Sequence, residues 1–202
     1  NATFTGSGPY TVTAAALTTN TTYSVRAKVF DLAGKSVTTA LSTSSGSLTI
    51  DTTVPSTAGT IAVSETDGTS GDGVVKTATP AFTVTSPADS GYTAAAIWKV
   101  QLQVASGTGQ TSGFADTGSA VTSATSGVYT LTTGTLAAGT YTIRAVATDV
   151  AGNETITGST VNIAVDLTAP TAGTVAVTDT YGSSTSDNIV RSGTPSFTVT
   201  GA

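Results

Sequence analysis

The chain contains no cysteine, no histidine and no methionine. These absences exclude disulfides, thiolate or imidazole metal sites, cysteine nucleophiles and any catalytic triad that needs histidine. Charge is also scarce: 9% of residues are charged, against about 25% in an average soluble protein. Basic residues are the rarer sign, with Lys+Arg 7 against Asp+Glu 12, a net charge of -5 and a pI near 4.3. No basic footprint for nucleic acid exists in such a chain. So few Glu and Lys also exclude a long charged helix. No run approaches 18 consecutive apolar residues, so no helical segment reads as membrane-spanning.

Thr is the commonest residue and Gly contributes 22 more; together they make roughly a third of the chain, well above ordinary usage. Thr is β-branched and suits a pleated surface, whereas Gly suits turns. With 38% hydrophobic residues and a mean hydropathy of +0.19 the chain can bury a core. The composition predicts an all-β protein and favours an extracellular setting.

Internal similarity organises the chain. Tyr23 to Gly34, with Asp31, matches Tyr141 to Gly152, with Asp149, at an offset of 118 residues. Asp51-Thr-Thr-Val-Pro55 matches Asp166-Leu-Thr-Ala-Pro170 at an offset of 115. Asp72 to Thr85, containing Pro80 and Phe82, matches Asp187 to Thr200, containing Pro195 and Phe197, at the same offset. Three blocks in one order define a period of about 115 residues, the size of a small β-sandwich. Residues 1–50 are then the C-terminal half of one repeat, 51–166 a complete repeat, and 167–202 the N-terminal third of another. This pattern reads as an excerpt from a longer tandem array.

Alternation locates the strands of the complete repeat: Ile61 and Val63; Phe82 and Val84; Trp98, Val100, Leu102 and Val104; Tyr129 and Leu131; Tyr141, Ile143, Ala145 and Ala147; Val161, Ile163 and Val165. Gly- and Ser-rich joints separate them, a sandwich pattern. Trp98 is the expected core plug. Tyr141 after Leu136-Ala-Ala-Gly, and Tyr23 after Leu17, read as a tyrosine corner in which the phenol bonds the backbone upstream. Arg26 and Arg144 share an outward position and read as surface charge.

At Asp149-Val-Ala-Gly-Asn153 and Asp166-Leu-Thr-Ala-Pro170 the sequence resembles the bacterial Ig-like repeats of large surface adhesins and biofilm-associated proteins. The resemblance covers essentially the whole chain and departs from the family pattern at Lys35 and Val54. It implies tandem Ig-like β-sandwich domains, neighbouring repeats of the same chain as partners, self-association in a filament or biofilm, a cell-surface location, no catalysis, and stalks that sometimes hold calcium at domain junctions.

Strand parity gives the acidic residues a second reading. It gathers Asp51, Asp89, Asp149 and Asn153 at the pole where the chain enters the repeat, and Glu65, Asp67, Asp72 and Asp166 at the other. Crowded carboxylates repel unless a cation bridges them. Calcium takes 6–8 oxygen ligands and needs neither Cys nor His. Asp51, Asp149 and Asn153 are therefore candidate ligands at one junction, and Asp67, Asp72, Asp166 and Asp187 at the other. The same residue types also shape hairpin turns without any metal. A rival role, recognition of carbohydrate or protein, would require exposed loop aromatics, for which Tyr92, Phe114 and Tyr181 are the candidates. A spacer attached to a secreted enzyme is a third role compatible with the same module.

Overall fold

A computed structural model of the chain describes residues 9–40, 47–64, 71–89, 97–178 and 189–201. Every regular element among the described residues is a strand, as the Thr- and Val-rich alternation dictates. The chain divides into two compact units, Asn1–Asp166 and Leu167–Ala202.

The first unit opens with β1 (Thr21–Ser24), β2 (Arg26–Phe30), β3 (Ser36–Ala40) and β4 (Ser47–Ile50). β1 pairs with β4 and β2 with β3, both antiparallel. There follow β5 (Thr60–Ser64), β6 (Val74–Val75), β7 (Ala81–Thr85), β8 (Ile97–Ser106), β9 (Ala115–Val121), β10 (Val128–Thr132), β11 (Gly139–Asp149), β12 (Glu154–Ile156) and β13 (Val161–Val165). They form a β-sandwich. One sheet has the order β10-β7-β5 and the other β6-β13-β11-β8-β9, with β12 added to β11. All pairs are antiparallel except β6 with β13.

The inner faces meet in one core. Ile61, Phe82, Val84, Tyr129 and Leu131 come from the smaller sheet, and Val100, Leu102, Ile143, Ala145, Ala147, Ile163 and Val165 from the larger. Each fully buried large side chain contributes about 1.5–3 kcal/mol. The tyrosine corner forms as expected: Tyr141 donates to the Ala137 carbonyl at 3.1 Å. In the N-terminal segment Thr18 N–H donates to the Tyr23 hydroxyl at 2.8 Å.

Two expectations need correction, and one strand escaped the alternation. Trp98 is not the core plug; it is 52% exposed, while Ile97 is 8% exposed and packs inward. Thr148 opposes Lys99, but Asp149 opposes Ile97. Trp98 is thus the extra residue of a β-bulge, and one inserted residue reverses the side chains beyond it. The ring instead lies under Lys99, with Nζ 5.3 Å from its centroid. Second, Arg144 is not free surface charge. Its guanidinium carbon sits 4.0 Å from the Phe114 ring centroid and its Nε donates to Gln103 Oε1 at 2.8 Å. That strand, β9, lies in a stretch whose alternation is too weak to mark it. It is held by Gln101 Nε2, which donates to the Thr117 carbonyl at 2.7 Å, and by Thr117 Oγ1, which accepts from Gly134 N–H at 2.9 Å.

The second unit contains β14 (Thr174–Thr178) and β15 (Ser196–Thr200), an antiparallel pair.

Candidate metal centre

Asp149 ends β11 and begins the hairpin to β12. Its carboxylate organises that turn: Oδ1 accepts from Ala151 N–H at 2.8 Å and Asn153 N–H at 2.9 Å, and Oδ2 accepts from Asn153 Nδ2 at 2.9 Å. Gly152, at φ 94°, makes the tight return possible. The Asp31 hairpin repeats the design, with Oδ1 accepting from Ala33 and Lys35 N–H at 2.9 and 2.8 Å.

Asp149 is fully buried. Burial pushes its pKa up, but the Asn153 side chain and the N–H groups of Asn153, Ala151 and Gly152 together outweigh it and hold the carboxyl below its ordinary value. A charged carboxylate is therefore maintained inside the fold.

Two more carboxylates approach it. Asp51 comes from the segment leading into β5 and Asp89 from the loop after β7. Ligand oxygens of Asp51, Asp89 and Asp149 all lie within 4.8 Å of one another. The first two are half-buried. Asp51 Oδ1 accepts from Thr53 N–H at 3.0 Å, whereas its Oδ2 is buried without a hydrogen bond. At such separations like charges repel one another.

Backbone lashings hold the trio in place. Asn153 Nδ2 also donates to the Asp51 carbonyl at 3.3 Å, and Thr155 Oγ1 to the Pro55 carbonyl at 2.7 Å. Thr57 and Ala88 exchange two backbone hydrogen bonds at 3.1 and 3.0 Å. The linker is equally tied to the preceding strands. Thr52 N–H and Oγ1 donate to Thr19 Oγ1 at 3.0 and 2.8 Å, and Asn20 Nδ2 donates to Thr53 Oγ1 at 3.1 Å.

Asp51, Asp149 and Asn153 are thus brought together, with Asn153 acting through its amide nitrogen on Asp149 and Asp51. Asp89 joins them; the parity of strands β7 and β8 places it at this pole, but no spacing motif marks it as a ligand. At the other end of β13, Asp72 and Asp166 are both exposed. Asp72 Oδ1 accepts from Val74 N–H at 2.8 Å, and Asp166 N–H donates to the Val75 carbonyl at 2.9 Å. Among the described residues they belong to no carboxylate trio. Asp67 and Asp187, like Glu65, Tyr92 and Tyr181, lie outside the described residues. Phe114 is half-buried beneath Arg144.

Residues 53–167, more than half of the chain and almost all of the complete sandwich, match the sequence model of a bacterial Ig-like domain. The chain belongs to the bacterial Ig-like domain family. A search of curated proteins finds no match to it. The Ig-like domain's two-sheet architecture agrees with the family assignment, and no helix among the described residues is long and apolar enough to cross a membrane.

The donor set of the trio is all oxygen, with an unsatisfied buried carboxylate oxygen on Asp51. That chemistry fits a hard divalent cation such as calcium and fits poorly a thiophilic or imidazole-seeking metal.

Proposed function

We propose that this chain is a non-catalytic structural segment of an extracellular bacterial surface protein, of the adhesin or surface-filament kind. In this reading tandem Ig-like domains, residues 1–50 and 167–202 belonging to neighbouring repeats, act as a stiff spacer. Calcium held by Asp51, Asp89 and Asp149, with Asn153 orienting Asp149, stiffens the joint. The observation that carries the reading is the convergence of linker, loop and hairpin carboxylates, together with the bare Asp51 Oδ2.

The chain's residues perform the work mechanically. Asp51 is on the linker and Asp149 is anchored by three hydrogen bonds. Asp51 and Asp149 would hold the cation between linker and hairpin, and its charge would offset the repulsion between their carboxylates. Thr52 and Thr53 transmit that restraint to the Thr19–Asn20 turn of the preceding strands. The proposal extends to Asp72 and Asp166, the exposed acidic residues at the other end of β13.

The test is thermal melting of the 202-residue chain in chelator and in millimolar calcium. A site with a dissociation constant of about 10⁻⁴ M stabilises by about 2.7 kcal/mol at a hundredfold excess of free calcium. The expected result is a rise in melting temperature that Asp51→Asn abolishes. An unchanged melting temperature in calcium would return the trio to turn formation alone.

A further inference from the structure

The outer face of the larger sheet carries a second polar cluster, built around Arg144. On β8, Lys99, Gln101 and Gln103 alternate with the buried Val100 and Leu102, and Arg144 of β11 stands opposite Gln103. The guanidinium is held on two sides. Its carbon lies 4.0 Å from the Phe114 ring centroid, and Nε donates to Gln103 Oε1 at 2.8 Å. Gln103 is turned into place in its own right, since its Nε2 donates to Asp116 Oδ1 at 2.9 Å. The two Nη groups of Arg144 have no partner among the described residues and are not shut off from solvent. A fork of donors that matches a carboxylate is therefore fixed and unused.

The opposite end of the row is aromatic. Trp98 is the one tryptophan of the chain. The bulge leaves it 52% exposed, with the Lys99 ammonium 5.3 Å from its ring centroid. Burial of so large a ring would stabilise the fold, yet the smaller Ile97 takes the inward place. Bulges recur beside functional sites, where they re-aim a side chain. Between the two ends Gln101 donates through Nε2 to the Leu102 and Thr117 carbonyls, and its Oε1 accepts from no described residue.

We infer that this strip binds an acidic oligosaccharide, a chain of uronic-acid sugars. Arg144 takes a carboxylate, and Trp98 stacks on the apolar face of a sugar ring. Lys99 and Gln101 bond hydroxyls between them, the ammonium as donor and the amide oxygen as acceptor. From Lys99 to Gln103 the strand advances by 4 residues, about 14 Å at 3.4 Å per residue, so the occupant is a chain and not a single sugar.

The surroundings select among anions. β8 is flanked on both sides, by β11 and β9, so it offers no open edge along which a peptide could pair its backbone. Asp116 and Glu154 share the outer face, and each is engaged. Asp116 accepts from Gln103, and Glu154 accepts from Thr148 Oγ1 at 3.3 Å. Their charges, with a net charge of -5 for the chain, oppose a densely charged polymer such as nucleic acid. A uronate chain meets these limits, because one carboxylate in the Arg144 fork suffices and the rest of the contact is made by rings and hydroxyls. The fork is already held by Phe114 and Gln103, so little ordering is left to oppose binding.

The test is titration of the 202-residue chain with a short oligogalacturonate, in chelator so that the outcome is independent of the cation reading. Trp98, as the one tryptophan, reports binding through its fluorescence, and calorimetry measures it independently. The expected result is a saturable change in both. The methyl ester of the same oligosaccharide, which lacks the carboxylate charge, should bind roughly tenfold or more weakly. Arg144→Gln should bind the acid and the ester alike, both at the weaker level, and Trp98→Ala should weaken both ligands when followed by calorimetry. The ester arm needs no substitution, so it stands even if a variant folds poorly. Neither heat nor a fluorescence change with millimolar oligogalacturonate would overturn the inference. An ester that binds as tightly as the acid would overturn it too, as would polyglutamate binding as tightly as the sugar.

Discussion

Asn153 Nδ2 donates both to Asp149 Oδ2, at 2.9 Å, and to the main-chain carbonyl of Asp51, at 3.3 Å. One amide therefore neutralises part of a buried charge and fastens the linker to the hairpin. Removing it leaves Asp149 buried with a lost donor. A hydrogen bond to a charged group is worth about 1.5–3 kcal/mol, so Asn153→Ala should lower stability by about that amount. Asn153→Asp should cost more, since it adds a fourth carboxylate. Urea unfolding in chelator checks both, through a lowered midpoint at unchanged slope.

Asp149 also sets an acid limit. Its folded-state pKa lies below the ordinary 3.8 because its hydrogen bonds outweigh burial. The stabilisation is present above the unfolded-state value and is lost as pH falls through the folded one. In chelator the melting temperature should therefore be flat through neutral pH and fall steeply below about pH 4. Asp149→Asn should flatten the acid limb, as seen by melting at stepped pH. An equally steep limb in that variant would assign the acid sensitivity elsewhere.

The bulge in β8 yields a paired prediction. Ile97 packs in the core and Trp98 stands outside it. Ile97→Ala should cost about 2–4 kcal/mol, and Trp98→Ala less than about 1 kcal/mol. Chemical denaturation of the two variants side by side measures the contrast. The reverse order would place the tryptophan in the core.

Gly118 sits in β9 at φ 65°, and a Cβ there would run into the Thr132 carbonyl oxygen. The neighbour is backbone and cannot swing aside. Gly118→Ala should destabilise by about 2 kcal/mol or more, from both the positive φ and the overlap. Gly152 also has a positive φ, but nothing stands within 4 Å of its Cβ position. Gly152→Ala should therefore cost less than Gly118→Ala, which melting of both variants decides.

Much of the complete sandwich was legible in the sequence because its strands alternate. Phe82 and Val84, Tyr129 and Leu131, and Ile143 with Ala145 announce their inward faces without reference to any neighbour. The Asp149–Asn153 turn was equally legible, since an Asx turn is closed by atoms within five residues. The gathering of Asp51, Asp89 and Asp149 at one pole followed from counting strands. Their approach to within 4.8 Å did not. That distance depends on how the Thr57–Ala88 bridge and the Thr155–Pro55 bond draw three separate segments together.

What the sequence determined by itself was local or periodic: the all-β composition, the repeat, the inward faces and the turn chemistry. Each of these is written in spacings along one chain. Only the tertiary structure decided which strand carries an extra residue, and hence that Ile97 and not Trp98 enters the core. A bulge is defined by the count on two strands at once. It also decided that β9 is a strand, because β9 is held by Gln101 and by Thr117's bond to Gly134 and not by its own alternation. Arg144 over Phe114 is a contact between separate strands and loops, and no spacing encodes it. Alternation fixes the direction of a side chain relative to its own strand, whereas partners and distances arise only when strands are laid beside one another.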